Sequence, residues 1–326
     1  MAVLSPSQQG AKGNEPDFKR TNRERRRRIA IQKWGPGYLL VLPAVVLIVA
    51  MMLYPLVQTL IFSVSTVQLP LFTPIFTGIA NFLAVFKDPN TGQLVLRTLE
   101  WVVGTVALRF VLGFLAAIIF NAKVRGTVWM RVLVVLPWMV PSVVAANLWR
   151  WVLQSDNGIL NETLRSWGVP SSALVDWLGN PHTVLGAVIV AYSWAGFPFV
   201  MLLILAGMQG ISEEQYEAAK VDGANWWQLF RYITIPAVRP VLIISLILEI
   251  VSAVNSFDTI EVMTGGGPAN ASQIWSIGIY NTGFQSYNFG GASAMSVLMF
   301  VVAIALFAVY GLANRRNARL ERGEAR

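Results

Sequence analysis

The chain has 326 residues, 55% of them hydrophobic and 13% charged, with a mean hydropathy of +0.56. A soluble domain carries about 25% charged residues, so the composition excludes an ordinary soluble protein. The absence of cysteine rules out disulfides and thiolate metal sites, and the lone His182 leaves no histidine metal cluster, so no metal or catalytic residue is expected. The net charge of +8 does not point to nucleic acid, because the basic residues lie at the chain ends and beside apolar runs.

Taken in order, residues 1–37 read as a basic cytoplasmic tail, largely disordered, with Arg23, Arg25, Arg26, Arg27 and Arg28 closing its polar part. The apolar run beginning at Tyr38 is too long for a signal peptide and lacks a small-residue cleavage site. Six runs near 38–62, 98–120, 130–153, 183–208, 240–262 and 293–314 reach the length of about 20 residues that a helix needs to cross a bilayer. The expectation is an all-α membrane protein with six transmembrane helices over 38–314, followed by a second basic tail, 315–326. An even number of spans puts both termini on one side, with the loops near 121–131 and 209–239. Twenty of the 25 Lys and Arg residues fall there, against Lys87, Arg97 and Arg165 on the other side. Positive loops stay inside, which predicts a multi-pass plasma-membrane (inner-membrane) protein with cytoplasmic termini. No internal repeat is apparent, which argues against many secondary-transporter folds.

Polar groups inside a span are costly and usually face a bundle interior or a water-filled path. On the fifth run Glu249, Ser252, Ala253 and Ser256 recur at helical spacing and share a face, with Asn255 beside them and Asp258 pointing away, toward the outer end. A sugar presents many hydroxyls and an apolar ring surface, so it calls for carboxylates, amides and aromatic faces. Residues 137–142, 192–198 and 249–256 offer these, and their prolines and glycines break helices where backbone can line a cavity. Interfacial placement of Trp and Tyr, and bridging by Ser, are the plainer readings of any single one of them.

Residues 212–236 form a polar island between apolar runs. Ser212 followed by Gln215 predicts a capped helix start, Glu213, Glu214 and Glu217 suit a helix N-terminus, and Gly223 suits a turn after the helix end. Two short helices joined at Asp222–Gly223 and closed by Pro236 are expected. Glu217-Ala218-Ala219, Gly223 and Ile233-Thr234-Ile235-Pro236 together resemble the EAA loop of ATP-binding-cassette (ABC) importer permeases, with Ile235 where the family pattern has leucine.

Over about residues 30–315 the chain is similar to binding-protein-dependent permeases of the maltose-type carbohydrate family, including trehalose importers. The Gly265-Gly266-Gly267-Pro268 turn adds to the likeness. The resemblance implies a type I ABC importer permease architecture with a cytoplasmic EAA coupling loop, in which Glu217, Ala218, Ala219, Asp222, Gly223, Ile233 and Pro236 meet the ATPase. It implies a substrate path lined by Trp138, Ser142, Tyr192, Gly196, Glu249, Ser252, Ala253, Asn255 and Ser256. The implied partners are a second homologous permease, a cytosolic ATP-binding subunit dimer and an extracytoplasmic sugar-binding (lipo)protein, all at the lipid bilayer. No cofactor is expected on this chain: it lacks a GxxxxGK[ST] loop, so ATP and Mg would sit on the ATPase. The competing reading is an ion-coupled secondary transporter using Glu249, Asp258 or Glu261. A membrane-embedded enzyme has no nucleophile–base set to support it.

Overall fold

The computed structural model describes residues 18–122 and 126–324, with side chains from 40 to 308 apart from 123–125 and Thr127. Residues 1–17 of the expected N-terminal tail lie outside the described residues. From Phe18 the backbone already belongs to helix α1 (Phe18–Ser63), and the expected C-terminal tail continues α13 to Glu324. Residues up to Gln58 form one compact unit and Thr59 onward another. In the first unit every residue from Leu40 to Val57 is exposed, an apolar surface on all sides that suits lipid rather than water.

The second unit begins with a short antiparallel hairpin, β1 (Ser65–Gln68) and β2 (Thr73–Phe76), in which Ser65 pairs with Phe76. Helices α2 (Ala80–Lys87) and α3 (Asn90–Asn121) follow. The Asp88 carboxylate accepts the Asn90 backbone N–H at 2.8 Å, so α3 starts well before its apolar run. Next come α4 (Thr127–Met139), α5 (Ser142–Val152), α6 (Ile159–Ser166) and α7 (Val184–Gln209). The chain then forms α8 (Glu213–Val221), α9 (Trp226–Leu229), α10 (Ile235–Val254), α11 (Asp258–Thr264), α12 (Trp275–Tyr280) and α13 (Phe289–Glu324).

Among the described residues five helices are long and apolar enough to span a membrane, and the α4–α5 pair makes a sixth span if counted as one. Two expected spans are broken or shifted. The 130–153 run bends by 97° between α4 and α5: Pro141 forces Val140 out of the helical region, to φ −75° and ψ 130°. The fifth span is displaced toward the N-terminus. It is a continuous 29-residue helix, Trp226–Val254, running from α9 through one π-helical turn (Phe230–Thr234) into α10. It ends where Asn255 folds its amide onto the Val251 carbonyl at 2.8 Å.

Helices α3 and α7 carry the core between them. Ala117 and Phe120 of α3 pack on Val200, Met201 and Ile204 of α7 at one end. At the other, Trp101 joins Val184, Val188, Ile260 and Ile277. Trp101 is fully buried, and its indole N–H donates at 3.0 Å to the Ala253 carbonyl, which also takes the Ser256 N–H at 3.2 Å where α10 ends.

Candidate functional site

A cavity of about 490 Å³ opens between the α4–α5 break, α7 and α10. Trp138 and Phe199 stack across it with centroids 5.7 Å apart, and Trp138 is half exposed. Tyr192 closes another side, its hydroxyl 3.2 Å from Ser252 Oγ. The Ser142 hydroxyl donates to Asp258 Oδ2 at 2.8 Å, tying α5 to α11.

The charged part of the wall is a buried ion pair. Arg109 of α3 donates from Nη1 to Glu249 Oε2 of α10 at 2.6 Å, with both side chains nearly inaccessible, 6% and 4% exposed. Its Nη2 donates to the Tyr192 carbonyl at 2.8 Å, and its guanidinium carbon lies 3.8 Å from the centre of the Tyr192 ring. Its Nε–H has no partner. Gly196 makes room for it: a Cβ there would lie 2.0 Å from the guanidinium carbon. One charge of such a pair without the other is strongly unfavourable, so Arg109 and Glu249 depend on each other.

A second concavity, about 820 Å³, lies beside α8 and α9 and is lined by Arg131, Tyr216, Glu217, Lys220 and Trp226 among others. Helix α8 turns at Gly223, whose φ of +82° suits glycine. The Ala224 N–H bonds back to the Ala219 carbonyl at 2.9 Å. The Tyr216 hydroxyl meets Thr234 Oγ1 at 2.9 Å. Trp226 lies flat on Phe230, centroids 5.4 Å apart, and Phe230 meets Phe114 of α3 edge-on.

Residues 109–319 match the family described as the inner membrane component of binding-protein-dependent transport systems. The chain belongs to that family. The trehalose/maltose transport system permease protein MalF of Thermococcus litoralis is 34% identical over 276 residues, 84% of this chain and 92% of that one. The lactose transport system permease protein LacF of Rhizobium radiobacter is 30% identical over 286 residues, 86% and 95% of the two chains. A bacterial alginate ABC transporter, solved with an alginate pentasaccharide-bound periplasmic protein, has a chain of the same fold, with a TM-score of 0.76 at 22% identity over 88% of this chain and 96% of that one. The protein is thus a multi-pass inner-membrane permease, a transport component and not an enzyme.

Of the permease residues read as a substrate path, Trp138, Ser142, Tyr192, Gly196, Glu249 and Ser252 line one cavity. Ala253, Asn255 and Ser256 do not. Helix α10 stops at Val254, so the helical face carrying Glu249 cannot extend to Ser256. Ala253 is buried with its carbonyl held by Trp101, and the Ser256 carbonyl takes the Ser276 hydroxyl. Asp258, expected to point away, is held at Ser142. Arg109 is the residue that sequence reasoning passed over. Its signal in the chain was partial: an arginine deep in an apolar span needs a partner, but Glu100, Glu249, Asp258 and Glu261 all fall in expected spans and spacing does not choose among them.

On the elbow Glu217, Ala218, Asp222, Gly223 and Pro236 are exposed, and Ala219 and Ile233 half-buried. Two local expectations need correction. Ser212 makes no side-chain cap. The reciprocal capping box sits at the second helix instead, where the Gln228 N–H donates to Asn225 Oδ1 at 3.0 Å and the Asn225 N–H to Gln228 Oε1 at 2.7 Å. Nor does Pro236 close the segment. It lies at the start of α10, directly after the π-helical turn within the continuous Trp226–Val254 helix, and the helix runs on.

Proposed function

We propose that the permease is one of two transmembrane subunits of an ATP-driven importer of di- or oligosaccharides, trehalose among the candidates. The observation that carries this is the 490 Å³ cavity, which joins aromatic faces (Trp138, Tyr192, Phe199) to hydroxyls and a charged pair beside the broken α4–α5 span. Aromatic faces cover the apolar side of a sugar ring, and Ser252 and Tyr192 meet its hydroxyls. The names of the relatives, trehalose/maltose and lactose permeases, support the substrate class. In this reading the distribution of Lys and Arg places both termini and the 212–236 elbow in the cytosol. The elbow docks on a cytosolic ATPase dimer, with Glu217 pairing a basic residue and Ala218 and Ala219 permitting close approach. ATP and Mg bind there and not on this chain. Closure of the ATPases tilts the elbow, the spans open outward, and a sugar-binding protein delivers its cargo to the cavity. The ion-coupled reading, on Glu249, Asp258 or Glu261, is not favoured: the family is that of binding-protein-dependent transport systems, and Arg109 holds Glu249 while Ser142 holds Asp258.

The test is purification of the tagged chain from its native membrane. An ATPase and a second permease should accompany it. Hydrolysis in the reconstituted assembly should rise when binding protein and trehalose or maltose are supplied together. Isolation without an ATPase, or hydrolysis indifferent to every carbohydrate, would overturn the proposal.

A further inference from the structure

We infer that the Arg109–Glu249 pair is a charge filter: it keeps the cavity wall electrically neutral and thereby selects uncharged over anionic ligands. The inference rests on the carbohydrate reading above and adds a specificity determinant to it. Arg109 and Glu249 supply the only cationic and the only carboxylate side chain among the described residues lining the cavity. Each cancels the other at 2.6 Å. A further charge at the cavity edge is Asp258, whose Oδ2 accepts from Ser142, and it is negative. An entering anion therefore meets no free cation and one opposing carboxylate, while it gives up its hydration. An uncharged polyol meets no repulsion and gives up far less hydration free energy.

The pair is also built so that removing one charge changes preference as well as stability. Arg109 is held independently of Glu249 by the Tyr192 carbonyl, by the Tyr192 ring and by the space at Gly196. Its Nε–H has no protein partner. Without the Glu249 charge the guanidinium stays in place as an unneutralised group on the cavity wall with Nη1 released, which is an anion site.

The experiment uses the complete transporter in lipid nanodiscs without nucleotide, so that the binding protein does not pre-select the ligand. Equilibrium binding is measured with radiolabelled trehalose, maltose and maltobionate, the carboxylate made by oxidising maltose at its reducing end. Native protein should take an uncharged disaccharide and reject maltobionate. Glu249→Gln should gain maltobionate affinity by about tenfold or more, the scale of one charge-assisted hydrogen bond. Adding Arg109→Gln should abolish that gain. A pair that served structure alone would lower thermal stability and leave the anion preference unmoved, and that result overturns the inference. If Glu249→Gln fails to assemble, Ser252→Arg places an unpaired cation at an exposed position on the same wall; it should admit maltobionate, and continued rejection overturns the inference. Native protein that binds neither trehalose nor maltose would sink the carbohydrate reading, while the response of Glu249→Gln to maltobionate would still decide the filter.

Discussion

The Tyr216 hydroxyl and Thr234 Oγ1, 2.9 Å apart, join the middle of α8 to the π-helical turn at the foot of the fifth span. The contact is part-buried, so losing either hydroxyl weakens the hold on the other. Tyr216→Phe should cost about 1 kcal/mol of local stability. It should loosen the elbow more than the fold: amide exchange in residues 213–222 should speed up several-fold while the thermal midpoint stays nearly constant. Unchanged exchange there would mean that the hydroxyl pair does not hold α8.

Gly223 has φ +82°, and a Cβ added there would meet nothing within 4 Å, so its requirement is purely conformational. Gly223→Ala should cost about 1 to 2 kcal/mol, and Gly223→Asn less, because asparagine tolerates this region. A β-branched Gly223→Val should be worst. Under the proposed coupling role, transport per ATP hydrolysed should fall in the same order. Equal transport in all three variants would separate the turn from coupling.

Gly196 is intolerant for a different reason. A methyl there would displace an Arg109 side chain pinned by Glu249 and Tyr192. Gly196→Ala should lower stability by about 3 kcal/mol or more, the cost of leaving one buried charge without its partner. Removing both charges in the same background, with Arg109→Met and Glu249→Met, should recover much of the loss. Thermal unfolding in detergent measures both.

Asp176 lies outside the spans. The Ser155 hydroxyl and then the Gly179 backbone N–H bond to its carboxylate, and hold its pKa below the ordinary aspartate value of 3.8. The clasp therefore strengthens the 154–182 loop fully above that value and is lost as pH falls through the lowered one. Proteolysis of this loop should be constant from neutral pH down to the ordinary carboxylate range and rise only below it. Asp176→Asn should remove that step.

Hydropathy was enough for α7, because residues 183–208 are apolar almost throughout and the helix found is Val184–Gln209. It was blind at the third span. Summed over a window, the residues on both sides of Pro141 look like one run, whereas the backbone preference of a single pre-proline residue sets the 97° bend. The fifth span was misplaced for a related reason. Trp226, Trp227 and Tyr232 read as a second short helix closed by Pro236, but the Asn225–Gln228 box starts a helix there that runs on to Val254. Glu249 stood out as a charge in an apolar run, while Arg109 was passed over; that they meet depends on how α3 and α10 pack, which spacing along the chain does not contain. Ser256 lost its place on the stripe because the helix ended two residues too soon.

Trp226 and Glu249 ride on one uninterrupted helix, separated by about 35 Å of rise. Moved as one body, its π-helical turn and Pro240 included, the helix carries its Glu249 end through roughly 6 Å for a tilt of about 10° at the elbow. Linkage then runs both ways. Under the proposed coupling role, any free energy by which a ligand at the cavity favours one tilt would reappear in how tightly the ATPase grips the elbow.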